Sequence, residues 1–574
     1  MKNIPTFFKY IGILAVAGII LRLLAAWHIS TITPFVYAPP STTDLATYMT
    51  LSREILDGTF KGAFYYQPFY YAAFLPGVML LFGKSVWSVI TIQAILGGLT
   101  IFFAAWIAKI LKNEKSGIIT AILLTLSNIL IFYTPFHKIA TLQTFIVTMF
   151  TFFLVLAFKD EKERLHYWIY AGIFLGIGCA TRGNLYIMLV GIIPLMLWKL
   201  KIRKALPAIS LLIVMTIAVQ LPFMIYNSVQ EKRLCGSSTA SSAVLALGNT
   251  PEAPPGGLEY PESYHVFMEK EKKRSVPLQI LDYLFSEPLA YLELTFRKTM
   301  FFYDSKDIPN NVNITTQGGA FLNNNIFGWV GWILILCVSG ILFNLKRIFK
   351  EHDFGTILLV ANIIFYGLSI AMFYNLARFR APILPSMAAM GGIFAIQFYE
   401  KLKEKDIKKV LIAAGCGIII AVAFAPAYCS YEKYIMRLVR PQGTHITART
   451  NQHAVFDYGP SNFGGHNIIT VKPGDTIEKT FAGIPADTKG FLLIKPCLFN
   501  RVLLEVNGRK LYWTNSRNDY INIPCQLRDG KISIRLLNID AQIPAMLFDS
   551  QRNYNRSSLN GENIDGEWIM RFYH

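Results

Sequence analysis

The sequence predicts an α-helical polytopic membrane protein that ends in an extracytoplasmic β-sandwich. Of its 574 residues, 53% are hydrophobic and 16% charged, and the mean hydropathy is +0.39. That balance is too apolar for a soluble chain of this length. About eleven apolar segments approach the length of about 20 residues that crosses a bilayer core. After about residue 430 the long apolar runs give way to short stretches of alternating polarity, the period of half-buried strands.

The expected spans run near 7–28, 84–111, 117–134, 138–158, 166–181, 184–199, 206–226, 324–344, 354–374, 380–399 and 409–428. The first follows Met1-Lys2 and Lys9 and resembles a signal peptide. Without a convincing small-x-small cleavage site before Trp27, it reads as the first membrane helix. The formal charge of +19 carries no nucleic-acid motif with it. It gathers in short connectors at Lys112–Lys115, Lys159–Arg164, Lys199–Lys204, Lys346–Lys350 and Lys401–Lys409. Placing all five in the cytoplasm with the N-terminus gives one consistent topology, because cytoplasmic loops concentrate Lys and Arg. Stretches 117–158, 166–199 and 354–399, each bounded by basic connectors, must then cross twice.

This parity sends most polar groups with catalytic potential to the other face. There lie loops 29–83 and 227–323 and the turns Thr134-Pro-Phe-His137-Lys138, Thr181-Arg182-Gly183-Asn184 and Asn375-Leu-Ala-Arg378-Phe-Arg380. In the first loop Asp44 opens a helix whose Leu45, Met49, Ser52 and Leu56 make one mostly apolar face, suited to a membrane surface. An aromatic run, Tyr65-Tyr66-Gln67-Pro68-Phe69-Tyr70-Tyr71, suits the same interface. Asp44 reads equally as an N-cap. Arg182 sits between two short apolar runs, where a guanidinium costs roughly 2.5–3.5 kcal/mol on insertion scales and calls for a partner such as a lipid phosphate. Arg378 and Arg380 allow the same reading, with interface anchoring as the alternative. His137 reads as structural. In the second loop, Gly248-Asn249 and Pro251–Gly257 read as an ordered loop without regular structure. Residues 280–299 there have helical apolar spacing.

The chain divides into a membrane module, 1–428, and a β-domain, 429–574. Strands are expected at 466–471, 476–482, 491–494, 501–506, 510–514, 520–523 and 531–539, with Asn507-Gly508 and Asp529-Gly530 as hairpin turns. The seven cysteines show no metal-ligand spacing. Cys497 and Cys525 share this polar region and could form a disulfide. Tyr512-Trp513 could stack on a glycan, although such aromatics in strands are more often core.

The first acidic external loop, Gln67-Pro68 with Tyr70-Tyr71, Phe82–Trp87, Thr181–Asn184, Gly248-Asn249, Asp307–Asn311 and Arg378–Pro382 together resemble the GT-C glycosyltransferases. Within them the likeness is to the bacterial protein mannosyltransferase, aminoarabinose transferase and rhizobial lipopolysaccharide transferase type. It covers about residues 5–400 and leaves the β-domain outside. Two departures stand out: Asp44-Leu45 replaces an acidic pair, and Gln67 stands where some members carry a lysine before the proline.

The resemblance implies an enzyme of the bacterial inner membrane with its active site on the extracytoplasmic side. It would move a sugar from a polyprenyl-phosphate donor to a hydroxyl of a glycan, lipid or protein acceptor in the cell envelope, with inversion. Asp44 would be general base. Arg182, Arg378, Arg380, Lys138 and Lys298 would hold the donor phosphate. Tyr48, Gln67, Tyr70, Asn249, Asp307 and Asn310 would contact substrate. No residue is committed to a metal, although a divalent cation could take part. A lipid-linked glycan flippase or transporter, or an enzyme like an O-antigen ligase or polymerase, would share the spans. The sequence carries no inverted repeat favouring the transporter.

Overall fold

The structure is a computed structural model that describes residues 5–37, 39, 43–258, 260–305, 312, 314–422, 455–456, 466–481, 487–494, 496–514, 521–549, 557–564, 567–568 and 570–573. They belong to two compact units, Met1–Pro39 with Asp44–Tyr428, and Pro40–Thr43 with Cys429–His574.

The first unit is helical. Thr6–Ile32, Val86–Leu111, Ala140–Lys159, Gly183–Glu231, Phe354–Ala371 and Ala377–Lys403 are long and apolar enough to cross a membrane by length and composition. The other expected spans are helical but shorter or broken, so length alone does not give eleven crossings. Ser127 interrupts one between Glu114–Leu126 and Asn128–Phe132. His166–Thr181 and Val330–Phe343 are short, and the last expected span is helical over 408–422.

The helix Ile187–Glu231 bends at Lys201, whose φ of 58° and ψ of 158° are not helical. Tyr186 Oη donates to Gln220 Oε1 at 2.6 Å, so the two halves fold back on each other as a hairpin with the basic run at its tip. Small residues set the packing beside it. Gly172 and Gly176 of His166–Thr181 lie against the carbonyls of Leu212 and Thr216, where a Cβ would collide with backbone. This is the close approach that membrane helices achieve with small residues four apart.

Two expectations about the loops change. The face of Asp44–Leu56 that carries Leu45, Met49 and Ser52 is buried within the protein rather than laid on a membrane surface. Tyr48 of that face packs on Tyr66, Tyr70 and Tyr71 at 5.8, 5.0 and 6.4 Å between ring centroids. The aromatic run continues into a helical stretch, Phe69–Phe82, through one π-helical turn.

The second loop is mostly helical: Ser241–Asn249, Glu262–Lys270, Val276–Ser286 and Pro288–Phe302. Pro288–Phe302 runs down the side of Phe354–Ala371. Its Lys298 Nζ reaches the Ala371 carbonyl at that helix's end, 3.2 Å away, whereas Tyr303 Oη reaches the Ile363 carbonyl two turns deeper, at 2.6 Å.

The second unit is a β-sandwich. A four-stranded sheet joins Val455–Phe456, Met570–Tyr573, Lys489–Ile494 and Ile521–Gln526, and a larger sheet is built around the long strand Lys531–Asp549. Leu492 and Met570 of the first share a core with Leu504, Val506, Ile532, Ile534 and Trp568 of the second. Asn507 and Gly508 both have positive φ, 46° and 87°, as do Asp529 and Gly530, the geometry of two-residue hairpin turns. The proposed disulfide is not formed. Cys525 is a free thiol opposite Gly490 in the smaller sheet, and Cys497 pairs with Ala545 in the larger one.

Candidate active site

Four charged residues from four separate elements meet at one end of the helical unit. Asp44 begins its helix. Its Oδ2 accepts from Arg378 Nη2 at 2.6 Å, with the arginine side chain 5% exposed and the carboxylate 23%. Arg378 lies in a tight turn, Ala377–Phe379, followed by a second turn in which Pro382 fixes the approach to Leu384–Lys403. Arg182 closes the C-terminus of His166–Thr181 in extended conformation, φ −160°, before the turn Gly183–Tyr186. Asn184 anchors that turn by donating from Nδ2 to Ser369 Oγ at 2.7 Å.

Lys138 comes from the turn before Ala140–Lys159. That turn is held by Gln93, whose Nε2 donates to the carbonyls of Thr134 at 2.7 Å and Phe136 at 3.0 Å. Tyr70 Oη in turn donates to Gln93 Oε1 at 3.2 Å.

Phe379 joins the arginines. The Arg182 guanidinium lies 3.7 Å from its ring centroid and that of Arg378 lies 5.4 Å away, both within cation–π range. Lys138 is fully buried, and its ammonium has no hydrogen-bond partner among the described residues. It feels Arg378, Asp44 and Arg182 together; burial, then Arg378, holds it well below the ordinary lysine range. Arg182 Nη1 is likewise enclosed without a partner. Among the described residues, the cluster therefore sets three basic side chains against one carboxylate in a poorly solvated place. Such an excess of positive charge is stable only with an anion, and guanidinium groups favour phosphate oxygens.

A cavity of about 320 Å³ opens beside the cluster. Its walls include Tyr66, Gln67, Arg182, Asn184, Ser237 and Tyr374. Gln67 takes a positive φ of 54° at the entry to the π-helical turn, and its Oε1 is buried without a partner. Tyr48 and Tyr66 stand within electrostatic reach of both Asp44 and Arg378.

Three further expected site residues have hydrogen bonds to other parts of the chain. Lys298 donates to the Gly248 and Ala371 carbonyls, so its ammonium is committed to the main chain. Asn249 donates to the Leu245 and Met372 carbonyls at 2.8 and 2.7 Å and accepts from Tyr291 Oη at 3.1 Å. Arg380 Nη2 donates to the Phe301 carbonyl at 3.3 Å. Asp307 and Asn310 lie outside the described residues.

His137 is buried, and burial, then Arg53, lowers it to about 4, so it is neutral at physiological pH. No group of three metal-ligating side chains occurs among the described residues. One carboxylate amid three cations is a poor donor set for a divalent ion, which prefers several oxygen ligands.

Sequence reasoning missed the cavity wall at 236–245, since nothing in Gly236-Ser-Ser-Thr-Ala-Ser-Ser242 marks it before the chain is folded. It also missed Phe379, although that residue sits between the two arginines that were singled out. Arg22, buried within Thr6–Ile32 and donating to the Gly18 carbonyl at 3.0 Å, escaped notice because a single basic residue scarcely lowers the hydropathy of a long apolar run.

Residues 66–226 match the dolichyl-phosphate-mannose-protein mannosyltransferase family. The matched segment includes Gln67, Lys138 and Arg182, whereas Asp44 and Arg378 lie outside it.

Similar solved structures include the Archaeoglobus fulgidus oligosaccharyltransferase in its apo form, at 14% identity and a TM-score of 0.44, covering 74% of this chain and 55% of that one. Another is AglB from the same organism, in complex with an inhibitory peptide and a dolichol-phosphate, at 13% identity and a TM-score of 0.43, covering 78% of this chain and 56% of that one. A third is ArnT from Cupriavidus metallidurans bound to undecaprenyl phosphate, at 12% identity and a TM-score of 0.40, covering 73% of each chain. The chain thus spans little more than half the length of the archaeal oligosaccharyltransferases it matches. No match is found among curated proteins.

Proposed function

We propose that this chain is a membrane glycosyltransferase that moves a sugar from a polyprenyl-phosphate donor to a hydroxyl acceptor at the membrane face that bears Asp44, the extracytoplasmic one. The observation that carries this reading is the buried excess of positive charge formed by Lys138, Arg182 and Arg378 around a single carboxylate. A phosphate at that place would receive hydrogen bonds from Lys138 Nζ and Arg182 Nη1, which lack partners among the described residues.

In the reaction, Asp44 accepts the proton of the acceptor hydroxyl as its oxygen attacks the anomeric carbon. The bond from that carbon to the phosphate oxygen breaks, its electron pair stays on the lipid phosphate, and configuration inverts. Arg378, bonded to Asp44 Oδ2, orients the carboxylate. The three cations stabilise the charge that develops on the leaving phosphate. Tyr66 and Gln67 line the sugar cavity, and Tyr48 packs behind Tyr66. Tyr70 acts at one remove, through Gln93 and the Lys138 turn.

The direct test is Asp44→Asn in purified, lipid-reconstituted protein with a defined polyprenyl-phosphate-sugar donor. General-base catalysis contributes about 10²–10⁴-fold, so transfer should fall by that range while donor binding stays within threefold. Wild-type turnover by Asp44→Asn would remove Asp44 from this role.

A further inference from the structure

The cavity beside the charge cluster has walls that constrain the donor beyond its phosphate. Among the described residues that line it, Arg182 is the single ionised one, with no aspartate, glutamate or lysine beside it. The other polar groups are amides, hydroxyls and main chain, notably Gln67, Asn184, Ser237 and Ser241. Two of them are enclosed acceptors without partners, Gln67 Oε1 and Asn184 Oδ1. Ser237 is already placed, donating from Oγ to Gln220 Oε1 at 3.1 Å, which leaves its oxygen lone pairs to accept.

On the transferase reading above, on which this step rests, Arg182 is neutralised by the donor phosphate. The rest of the described wall then holds no counter-charge for an ionised sugar substituent facing it. On the side of the ring away from the anomeric carbon, and so away from Asp44 and the other cations, an ammonium group would meet no carboxylate among the described lining residues and a carboxylate no second cation, and burying either unpaired is costly. Sugar hydroxyls, by contrast, donate to the two enclosed amide oxygens. A buried polar wall also rejects analogues that cannot complete its hydrogen bonds.

We infer that the phosphate-linked sugar of the donor is an uncharged, polyhydroxylated monosaccharide unit, and neither an amino sugar in its ammonium form nor a uronic acid. Gln67 and Asn184 are its specificity-determining residues.

The test uses the full chain in lipid nanodiscs and four probes of one lipid length: polyprenyl phosphate alone, and the same lipid phosphate carrying a neutral hexose, a hexuronic acid or an aminopentose. Binding is read by competition against a fluorescent polyprenyl phosphate, and transfer is read with the same donors. The neutral hexose should bind at least tenfold more tightly than either charged sugar and give the highest transfer rate. Gln67→Glu, which places one carboxylate in the wall without changing its size, should bring the aminopentose donor to within threefold of the hexose.

Tighter binding or faster transfer of either charged sugar overturns the inference, and so does a Gln67→Glu variant whose preferences are unchanged. If polyprenyl phosphate binds but no sugar-bearing form does, the cavity takes no sugar and the inference fails while the phosphate site survives. If polyprenyl phosphate itself does not bind, the transferase reading falls, and this inference with it.

Discussion

A buried lysine, Lys298, and a cluster of three buried basic residues lie at the same end of the helical unit and differ in what their hydrogens do. Lys298 donates to main-chain carbonyls, those of Gly248 and Ala371. Lys138 and Arg182 keep enclosed donors without partners among the described residues, and Arg378 is paired with the one carboxylate of their cluster.

Lys298 is structural, because a basic group that caps carbonyl oxygens at helix ends completes the main chain's own bonding. Lys298 ties the C-terminal end of Ser241–Asn249 to that of Phe354–Ala371, the two elements that carry the cavity residues Val244, Leu245 and Ile370. Lys138 and Arg182 in the cluster have donors left over among the described residues, as the proposed phosphate site requires. Burial by itself therefore does not distinguish a binding cation from a bracing one; the fate of its donors does.

That contrast can be broken by substitution. Arg378→Ala should have the largest effect, since it leaves the Asp44 carboxylate partly buried without its partner and removes one phosphate contact. Transfer should fall by about 10²-fold or more, with a clear drop in thermal stability in detergent. An unchanged transfer rate would detach Arg378 from the site.

Lys298→Met should destabilise by about 1–3 kcal/mol, because two buried carbonyls lose their donor, while kcat for the assembled enzyme stays within threefold. Its pH dependence sharpens the point. Burial lowers the Lys298 ammonium to about 7, against about 10.4 in an unfolded chain. Between those values the unfolded chain binds a proton that the folded chain does not, so wild-type stability gained from this group rises with pH. The neutral amine still has two hydrogens for its two carbonyls. The stability deficit of Lys298→Met should therefore grow from pH 7 to pH 9 when melting temperatures are compared. A deficit that shrinks over this range would show the lysine to be charged in the fold.

The smallest effect is expected for Tyr291→Phe, which removes one hydrogen bond to Asn249 at the edge of the same brace. It should cost about 0.5–1.5 kcal/mol in stability and leave donor affinity unchanged.

Much of this was legible in the sequence, for identifiable reasons. Apolar runs must be helical in a membrane because every main-chain group has to be satisfied internally, and basic connectors placed the hairpin tip at Lys199–Lys204, where the bend at Lys201 is found. Alternation and the Asn507-Gly508 and Asp529-Gly530 turns located most strands, whereas the pairs at 557–559 and 562–563 are too short to show a period. Asp44, Lys138, Arg182 and Arg378 stood out because charges near apolar runs are rare.

Lys298 could not be sorted from them in the same way. Its partners are the carbonyls of Gly248 and Ala371, distant in sequence and without side-chain identity, so no residue pattern announces them. The cavity wall at 236–245 was hidden for a similar reason, being assembled only when Ser241–Asn249 closes against residues 370–374. Cys497 and Cys525 misled because a shared compartment says nothing about which sheet each strand joins.

The most direct test sets the two kinds of cation side by side in one binding measurement. Polyprenyl phosphate affinity is compared for the wild type, Arg182→Met and Lys298→Met, all full-length, lipid-reconstituted and confirmed folded at pH 7. Loss of at least tenfold affinity in Arg182→Met, with Lys298→Met within threefold of wild type, is the predicted result. Equal losses in both, or a larger loss in Lys298→Met, would contradict the assignment of the incomplete cluster as the phosphate site.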